Sequence, residues 1–205
     1  SGVRRVLQRG RRCGTLARLP PARRVLLIVA CTARTRQCDT SYLKRGAQTP
    51  ACCRENVIRT LAAATKLFEE HDVHYWLDYG ALLGAVRDGG MIPWDNDADI
   101  SITLSDWGKL KRLRPVALEH GFVLRFLKHL DYARAQVSYV NRLHVCIFVW
   151  HDVPNRLGWL ERPTYMRIDD QHNKGRGFPR EWIEDRTRVS WEGIPVWAPA
   201  DPVRM

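Results

Sequence analysis

The alternation of apolar and polar residues is clearest in residues 97–104. Every second position is apolar there, and polar residues fall between: Ala98, Ile100, Ile102 and Leu104 alternate with Asp97, Asp99, Ser101 and Thr103. A period of two places the apolar side chains on one face of a β-strand and the polar ones on the other. The pattern therefore predicts a half-buried strand whose polar face carries two carboxylates.

Helical spacing of apolar residues precedes this strand. It recurs over residues 53–70, at Val57, Ile58, Leu61, Ala64 and Phe68, and predicts an amphipathic helix. Shorter patterns predict strands at 74–78, 122–127, 135–139 and 143–150, a helical turn at 82–86, a loop at 87–90, a helix over 106–120 interrupted at Pro115, and a hairpin over 189–197. Strands mixed with helices predict an α/β or α+β domain.

The positive charge lies at the start of the chain. The formal net charge is +11, and the first fifty residues hold 12 Lys and Arg but one acid, Asp39, whereas the rest is balanced. We therefore interpret residues 1–24 as a basic, irregular leader and expect no nucleic acid partner. The apolar run at 25–30 is far shorter than the roughly 20 residues of a membrane helix. The chain begins at Ser1, which leaves open whether it is a fragment, and we expect any membrane anchor to lie outside it.

Four cysteines lie close together in residues 25–53: Cys31, Cys38, Cys52 and Cys53. Four clustered thiolates suit a tetrahedral structural zinc. Two disulfides are the alternative in an oxidising compartment. We favour zinc, in a loop that supports the fold rather than the chemistry.

The two carboxylates of the predicted strand suggest a metal centre. Asp97 and Asp99 project from the same face, and carboxylates this close repel each other unless a cation lies between them or one is protonated. Mg²⁺ prefers one or two carboxylates together with phosphate oxygens and water. Asp95 adds a third acid nearby. An isolated D-x-D is usually only solvated, but Gly80 upstream marks a strand-to-helix turn where backbone can approach a phosphate.

Residues 75–100 carry a specific resemblance. The run YWLDYGALLGAVRDGGMIPWDNDADI strongly resembles the signature of the LicD family, which includes bacterial phosphocholine transferases and the animal fukutins. The stretches around residues 143–145, 178–179 and 189–199 resemble the fukutin-related members of the family, the ribitol 5-phosphate transferases. The resemblance covers roughly residues 31–200. It implies a nucleotidyltransferase-like mixed sheet flanked by helices over residues 54–205, preceded by the zinc loop and ending before the family's terminal segment.

The resemblance also implies an activity. It is the Mg²⁺- or Mn²⁺-dependent transfer of a polyol phosphate, such as ribitol 5-phosphate, or of phosphocholine from a CDP-linked donor to a glycan or glycoprotein. The implied setting is O-mannosyl glycosylation in the Golgi lumen, and a homo-oligomer stays open. Asp97 and Asp99 are the implied metal ligands and, with Asp95, the catalytic residues. The donor-binding side is implied for Gly80, Ala81, Gly84 and Arg87.

Two departures from the family pattern leave alternatives open. Where the family carries a third metal-binding Asp, this chain has Cys146, and a thiolate is a poor ligand for Mg²⁺. Asp95 or Asp152 could complete the site instead, and His144 shares the face of Cys146. At Ala81 relatives often carry a hydroxyl residue. One alternative is therefore a catalytically silent family member; the other is a zinc-stabilised module that binds polyanions through the Arg-rich leader.

Overall fold

The computed structural model describes residues 46–127, 132–137, 143–152, 158–161 and 177–203. The predicted leader and most of the cysteine-rich segment, including Cys31 and Cys38, lie outside these residues. In the described part of the chain, no helix has the length and apolar character needed to cross a membrane.

Five helices and nine strands follow one another in the described residues. The helices are α1 (Ala51–Glu70), α2 (Tyr79–Asp88), α3 (Leu104–Arg112), α4 (Arg114–Glu119) and α5 (Glu181–Glu184). The strands are β1 (Tyr75–Leu77), β2 (Asp97–Thr103), β3 (Val123–Phe126), β4 (Tyr132–Gln136), β5 (His144–Asp152), β6 (Trp159–Glu161), β7 (Gly177–Pro179), β8 (Thr187–Trp191) and β9 (Ile194–Ala198).

Seven of the strands form one mixed sheet. Its order is β1-β2-β5-β4-β3, with β6 added to β5 and β7 added to β6. Strands β2 and β5 pair in parallel, whereas the other described pairs are antiparallel. Strands β8 and β9 form a separate hairpin. The predicted mixed sheet flanked by helices is confirmed.

Helix α1 covers the sheet with the apolar face that its sequence predicts. Val57, Leu61, Ala64 and Phe68 are fully buried in the main core, and the helix contacts β2, β4 and β5. Each fully buried Val, Leu or Phe side chain contributes about 1.5–3 kcal/mol. The helix begins two residues earlier than predicted, directly after Pro50.

Helix α2 is longer than the predicted helical turn. Asp78 caps its start by accepting a hydrogen bond from the Tyr79 amide, and Gly89 ends it in a left-handed conformation with φ of 73°. Gly84 meets the chain that returns after the helix, because a Cβ there would lie 2.2 Å from the carbonyl oxygen of Gly90. Gly84 therefore has a packing role, whatever it contributes to a ligand.

The remaining differences from the predicted elements are local. The helix expected over 106–120 is split, as predicted, into α3 and α4 beside Pro115. The strand expected at 135–139 lies at Tyr132–Gln136, three residues earlier. Strands β6 and β7 were not predicted, because three residues are too few to show an alternation. The predicted hairpin is confirmed in β8 and β9.

Two glycine substitutions test the packing of α2. Gly84→Ala should lower the free energy of unfolding by about 1–3 kcal/mol, since the new methyl group must displace backbone. Gly108→Ala, in α3, should instead raise it by about 0.5–1 kcal/mol, because its Cβ meets only the end of the Arg112 side chain, at 3.8 Å. Urea unfolding of both variants measures the difference, and equal stabilities would contradict the close approach of α2 to Gly90.

Candidate active site

The parallel pairing of β2 and β5 creates the site. Asp97 lies opposite His144, and Asp99 lies opposite Cys146. Residues paired across adjacent strands project from the same side of a sheet. The two carboxylates of β2 therefore share a face with an imidazole and a thiol from β5.

The start of α2 approaches these carboxylates. The Gly80 amide donates a hydrogen bond of 3.0 Å to Oδ2 of Asp99. A Cβ on Gly80 would lie 3.1 Å from Oδ2 of both Asp95 and Asp99, so the two carboxylates converge on this glycine. Any larger residue would crowd them. The positive end of the helix dipole favours negative charge at the same place.

The carboxylates repel one another strongly. Burial and then the charge of Asp97 raise the pKa of Asp95 to about 6. Burial, followed by the charges of Asp97 and Asp95, raises the pKa of Asp99 well above its usual value. A divalent cation would relieve this repulsion, and oxygen ligands are the ones that Mg²⁺ and Mn²⁺ prefer. The side chains of Asp95, Asp97 and Asp99 thus fit the predicted cation.

One corner of the site is not built from oxygen. His144 Nε2 lies 3.5 Å and Cys146 Sγ 3.6 Å from Oδ2 of Asp97. Both side chains are buried, and a chain of hydrogen bonds continues behind the thiol. The Tyr132 hydroxyl lies 2.9 Å from Sγ, and Arg134 Nε donates to that hydroxyl at 2.8 Å. Burial and the neighbouring carboxylates raise the pKa of the Cys146 thiol well above its usual value.

Asp78 supports the site from beneath. Its buried carboxylate accepts hydrogen bonds from the Ser101 hydroxyl at 2.5 Å and Trp150 Nε1 at 3.0 Å, besides capping α2 through Tyr79. Burial raises its pKa to about 6. Asp78 thereby ties the start of α2 to β2 and β5 and positions Gly80. The capping role of Asp78 was not predicted above, although an Asp directly before a helix is a recognisable capping signal.

Other residues singled out from the sequence lie further from the carboxylates. Ala81 is buried in the main core. Arg87, near the end of α2, pairs with Asp88 and places its guanidinium 5.6 Å from the ring centre of Trp94. Asp152 lies six residues beyond Cys146 on β5, about 20 Å away at strand rise, and pairs with Arg180. Asp152 therefore does not complete the carboxylate site. Donor contacts of Ala81 and Arg87 stay predictions.

The cysteines at the start of α1 bear on the predicted zinc loop. Cys52 and Cys53 are both disulfide-bonded and buried. A sulfur in a disulfide carries no thiolate charge, and the thiolate is the metal ligand. This bonding favours the disulfide alternative over zinc for these two residues.

Comparison with known proteins identifies the family. The profile described as "LicD/FKTN/FKRP, nucleotidyltransferase domain" matches residues 72–201. The chain belongs to the LicD family. The matched part of this LicD-family chain contains all three carboxylates, Gly80, His144 and Cys146.

Two curated relatives carry the name "Ribitol 5-phosphate transferase FKRP". The chain is 34% identical to the Mus musculus protein over 164 residues and 33% identical to the Homo sapiens protein over 181 residues. These alignments cover 78% and 82% of the LicD-family chain, but 32% and 35% of the relatives, so it spans about a third of their length. Among solved structures, the lincosamide antibiotic adenylyltransferase LnuA matches with a TM-score of 0.43 and 16% identity, over 69% of this chain and 79% of LnuA.

The raised carboxyl pKa values predict an unusual pH dependence of stability. The pKa values of Asp95 and Asp99 are higher in the folded protein than in the unfolded chain. At a pH between the unfolded and the folded pKa, the folded protein therefore binds more protons than the unfolded chain does. The free energy of unfolding of the metal-free protein should therefore fall as pH rises from about 4 to about 6. Added Mn²⁺ should reverse the trend, since it binds the ionised carboxylates of the folded state.

Thermal unfolding with chelator or with Mn²⁺ measures this effect. Asp99→Asn is the control, because it removes one ionising group while keeping the size of the side chain. Its stability should depend less on pH over the same interval than that of the parent. A parent and a variant with the same pH profile, and no response to Mn²⁺, would contradict the electrostatic account.

Proposed function

We propose that this LicD-family domain is a metal-dependent phosphotransferase that moves a polyol phosphate, such as ribitol 5-phosphate, from a CDP-linked donor to a glycan. The observation that carries the proposal is the convergence of Asp95 and Asp99 on Gly80, beside Asp97. The two relatives named as ribitol 5-phosphate transferases support the choice of the transferred group. Glycoprotein O-mannosylation in the Golgi lumen is the setting that we infer from the family resemblance alone. Phosphocholine is the alternative group.

The roles of the residues follow from their positions. Asp97 and Asp99 would hold Mg²⁺ or Mn²⁺ against the donor diphosphate, with Asp95 as a further ligand or as a hydrogen-bond partner of Asp97. When bound, the cation would supply charge neutralisation at the diphosphate. The amides at the start of α2, beginning with Gly80, offer donors and a positive dipole to phosphate oxygens. Arg87 adds a cation on the same helix.

The reaction exchanges one bond to phosphorus for another. A hydroxyl oxygen of the acceptor glycan attacks the phosphorus that carries the polyol, and the bond from this phosphorus to the bridging oxygen of the diphosphate breaks. CMP leaves with that oxygen, and the hydroxyl proton passes to solvent or to a carboxylate at the site. The role of the protein is to align the hydroxyl with the breaking bond and to screen the charge on the leaving group.

Transfer assays with carboxylate variants test the proposal. The full chain with CDP-ribitol, Mn²⁺ and a phosphorylated glycan should release CMP and extend the glycan. Asp97→Asn and Asp99→Asn should each lower the rate at least about 100-fold, because several kcal/mol of transition-state charge stabilisation is lost. Asp72→Asn is the matched control: this carboxylate is 77% exposed and pairs with Lys109. Asn also tolerates the left-handed backbone found at Asp72.

A reference enzyme is needed to interpret an absence of transfer. A fukutin-related relative assayed alongside shows that donor and acceptor are competent. Absence of transfer by this chain, while the relative is active, would count against the proposal. Turnover that is indifferent to chelator would contradict the metal-dependent mechanism.

The silent-member alternative is favoured by one observation, the buried thiol at Cys146 in place of a carboxylate. Under that alternative the chain binds CDP-ribitol and Mn²⁺ in calorimetry without transferring the polyol phosphate. A large gain of transfer in Cys146→Asp would then support a silent native chain, whereas an unchanged rate would argue against it.

A further inference from the structure

Cys146 is part of a cluster rather than an isolated packing residue. Its sulfur, Nε2 of His144 and a carboxylate oxygen of Asp97 all lie within 4.8 Å of one another. His144 and Cys146 are two residues apart on β5, and Asp97 lies opposite His144 on β2. The cluster therefore stands on two paired strands near the middle of the sheet, where the backbone holds the three side chains together.

Two of the three separations match those around a tetrahedral zinc ion, and the third, between His144 and Cys146, is no longer than 4.8 Å. Zinc binds Cys sulfur at about 2.3 Å and His nitrogen or carboxylate oxygen at about 2.0–2.2 Å, so tetrahedral ligands lie about 3.4–3.6 Å apart. The observed separations from Asp97 Oδ2 are 3.5 Å to His144 Nε2 and 3.6 Å to Cys146 Sγ. A thiol and an imidazole that donate hydrogen bonds to the carboxylate reach similar distances, so the metal titration below is what distinguishes ligands from hydrogen-bonded neighbours.

We propose that Asp97, His144 and Cys146 form a binding site for a thiophilic divalent ion such as Zn²⁺. One nitrogen, one sulfur and one oxygen ligand suit zinc and disfavour Mg²⁺, which takes oxygen ligands. The proposal rests on the cation-dependent function above, since Asp97 belongs to both sets of ligands. It differs in the ion: the thiol corner selects zinc, whereas the carboxylates beside Gly80 suit Mg²⁺ or Mn²⁺.

The hydrogen bonds behind the thiol support a metal-bound thiolate. Arg134 has no acceptor atom, so its Nε donates to the Tyr132 oxygen at 2.8 Å. The Tyr132 hydroxyl then has its proton available for Cys146 Sγ, 2.9 Å away. A thiolate that receives this hydrogen bond, with a guanidinium behind it, is partly compensated for its burial. Outer partners of this kind orient metal ligands and typically contribute about 10–100-fold in affinity.

The position of the cluster leaves one coordination place for a ligand. His144 and Cys146 are buried, but the Asp97 side chain retains 24% of its exposure, so the fourth position would face the open side of the site. Metal sites with three protein ligands commonly bind water or substrate there. Binding forms a metal–sulfur bond and releases the thiol proton to solvent, so zinc affinity should rise with pH.

Cobalt(II) is the probe that tests the site without any donor or acceptor. Co²⁺ is titrated into the full chain in the presence of excess Mg²⁺, with its disulfides left intact. Sulfur ligation gives a near-ultraviolet charge-transfer absorption and tetrahedral geometry gives intense visible bands. The expected result is both signals in the parent, displaced by Zn²⁺ but not by Mg²⁺. Cysteines outside the described residues are controlled for by comparing the parent with Cys146→Ser.

The variants separate a ligand from a packing residue. Cys146→Ser and His144→Gln should weaken Co²⁺ binding by at least about 100-fold, and Tyr132→Phe by about tenfold. His151→Gln is the matched control, since His151 lies on β5 but faces the other side of the sheet, and it should bind as the parent does. Cys146→Asp should lose the charge-transfer signal and gain affinity for Mg²⁺. Circular dichroism establishes that each variant is folded.

The opposite results would overturn the proposal. Signals of equal strength in the parent and in folded Cys146→Ser would place the ion elsewhere, and displacement by Mg²⁺ would mean that the thiol does not ligate. Because these measurements involve no transfer, the zinc site can fail while the phosphotransferase proposal stands. Intact cobalt binding without any transfer would support the zinc site and count against the phosphotransferase proposal.

Discussion

Repulsion among three carboxylates is the interaction around which this domain is arranged. Asp97 and Asp99 project from one face of β2, and Asp95 reaches the same place from the preceding turn. Together with burial, their charges raise the pKa values of Asp95 and Asp99. Such an arrangement is costly for a protein without a cation, because ionised carboxylates repel and protonated ones are poor ligands. A divalent cation bound between the carboxylates would remove this cost.

The scaffold keeps the carboxylates together by means that lie beneath them. The parallel pairing of β2 and β5 fixes which residues face one another. The buried Asp78 joins the start of α2 to Ser101 and Trp150, and so brings the Gly80 amide against Asp99. Asp78, which lies outside the reacting centre, therefore has a structural role: it holds the start of α2 against β2 and β5. The same framework places the thiol of Cys146 opposite Asp99 and 3.6 Å from Asp97, so a sulfur atom adjoins the carboxylates.

Much of the fold and part of the carboxylate site could be predicted from the sequence. The rest depends on contacts between residues that are distant in the chain. Alternation predicts β2 and the common face of Asp97 and Asp99, and helical spacing predicts α1. The convergence of Asp95 on Gly80 depends on how the turn before β2 folds back, and no local pattern records that. The contact of His144 and Cys146 with Asp97 depends on the register of two strands about 45 residues apart in the chain. The predicted start of β4 was too late. The strand begins at the buried Tyr132, where the alternation of apolar and polar residues is weak and does not mark a start.

The central claim is that Asp97 and Asp99 jointly hold a divalent cation that the diphosphate of the donor completes. A crystal structure of the full chain with Mn²⁺ and CDP tests it most directly, through the anomalous scattering of manganese. The account predicts a peak at oxygen-ligand distance, about 2.0–2.3 Å, from carboxylate oxygens of both residues, with diphosphate oxygens on its open side. A peak that touches neither carboxylate, or side chains of Asp97 and Asp99 that turn away from each other with CDP bound, would contradict the account.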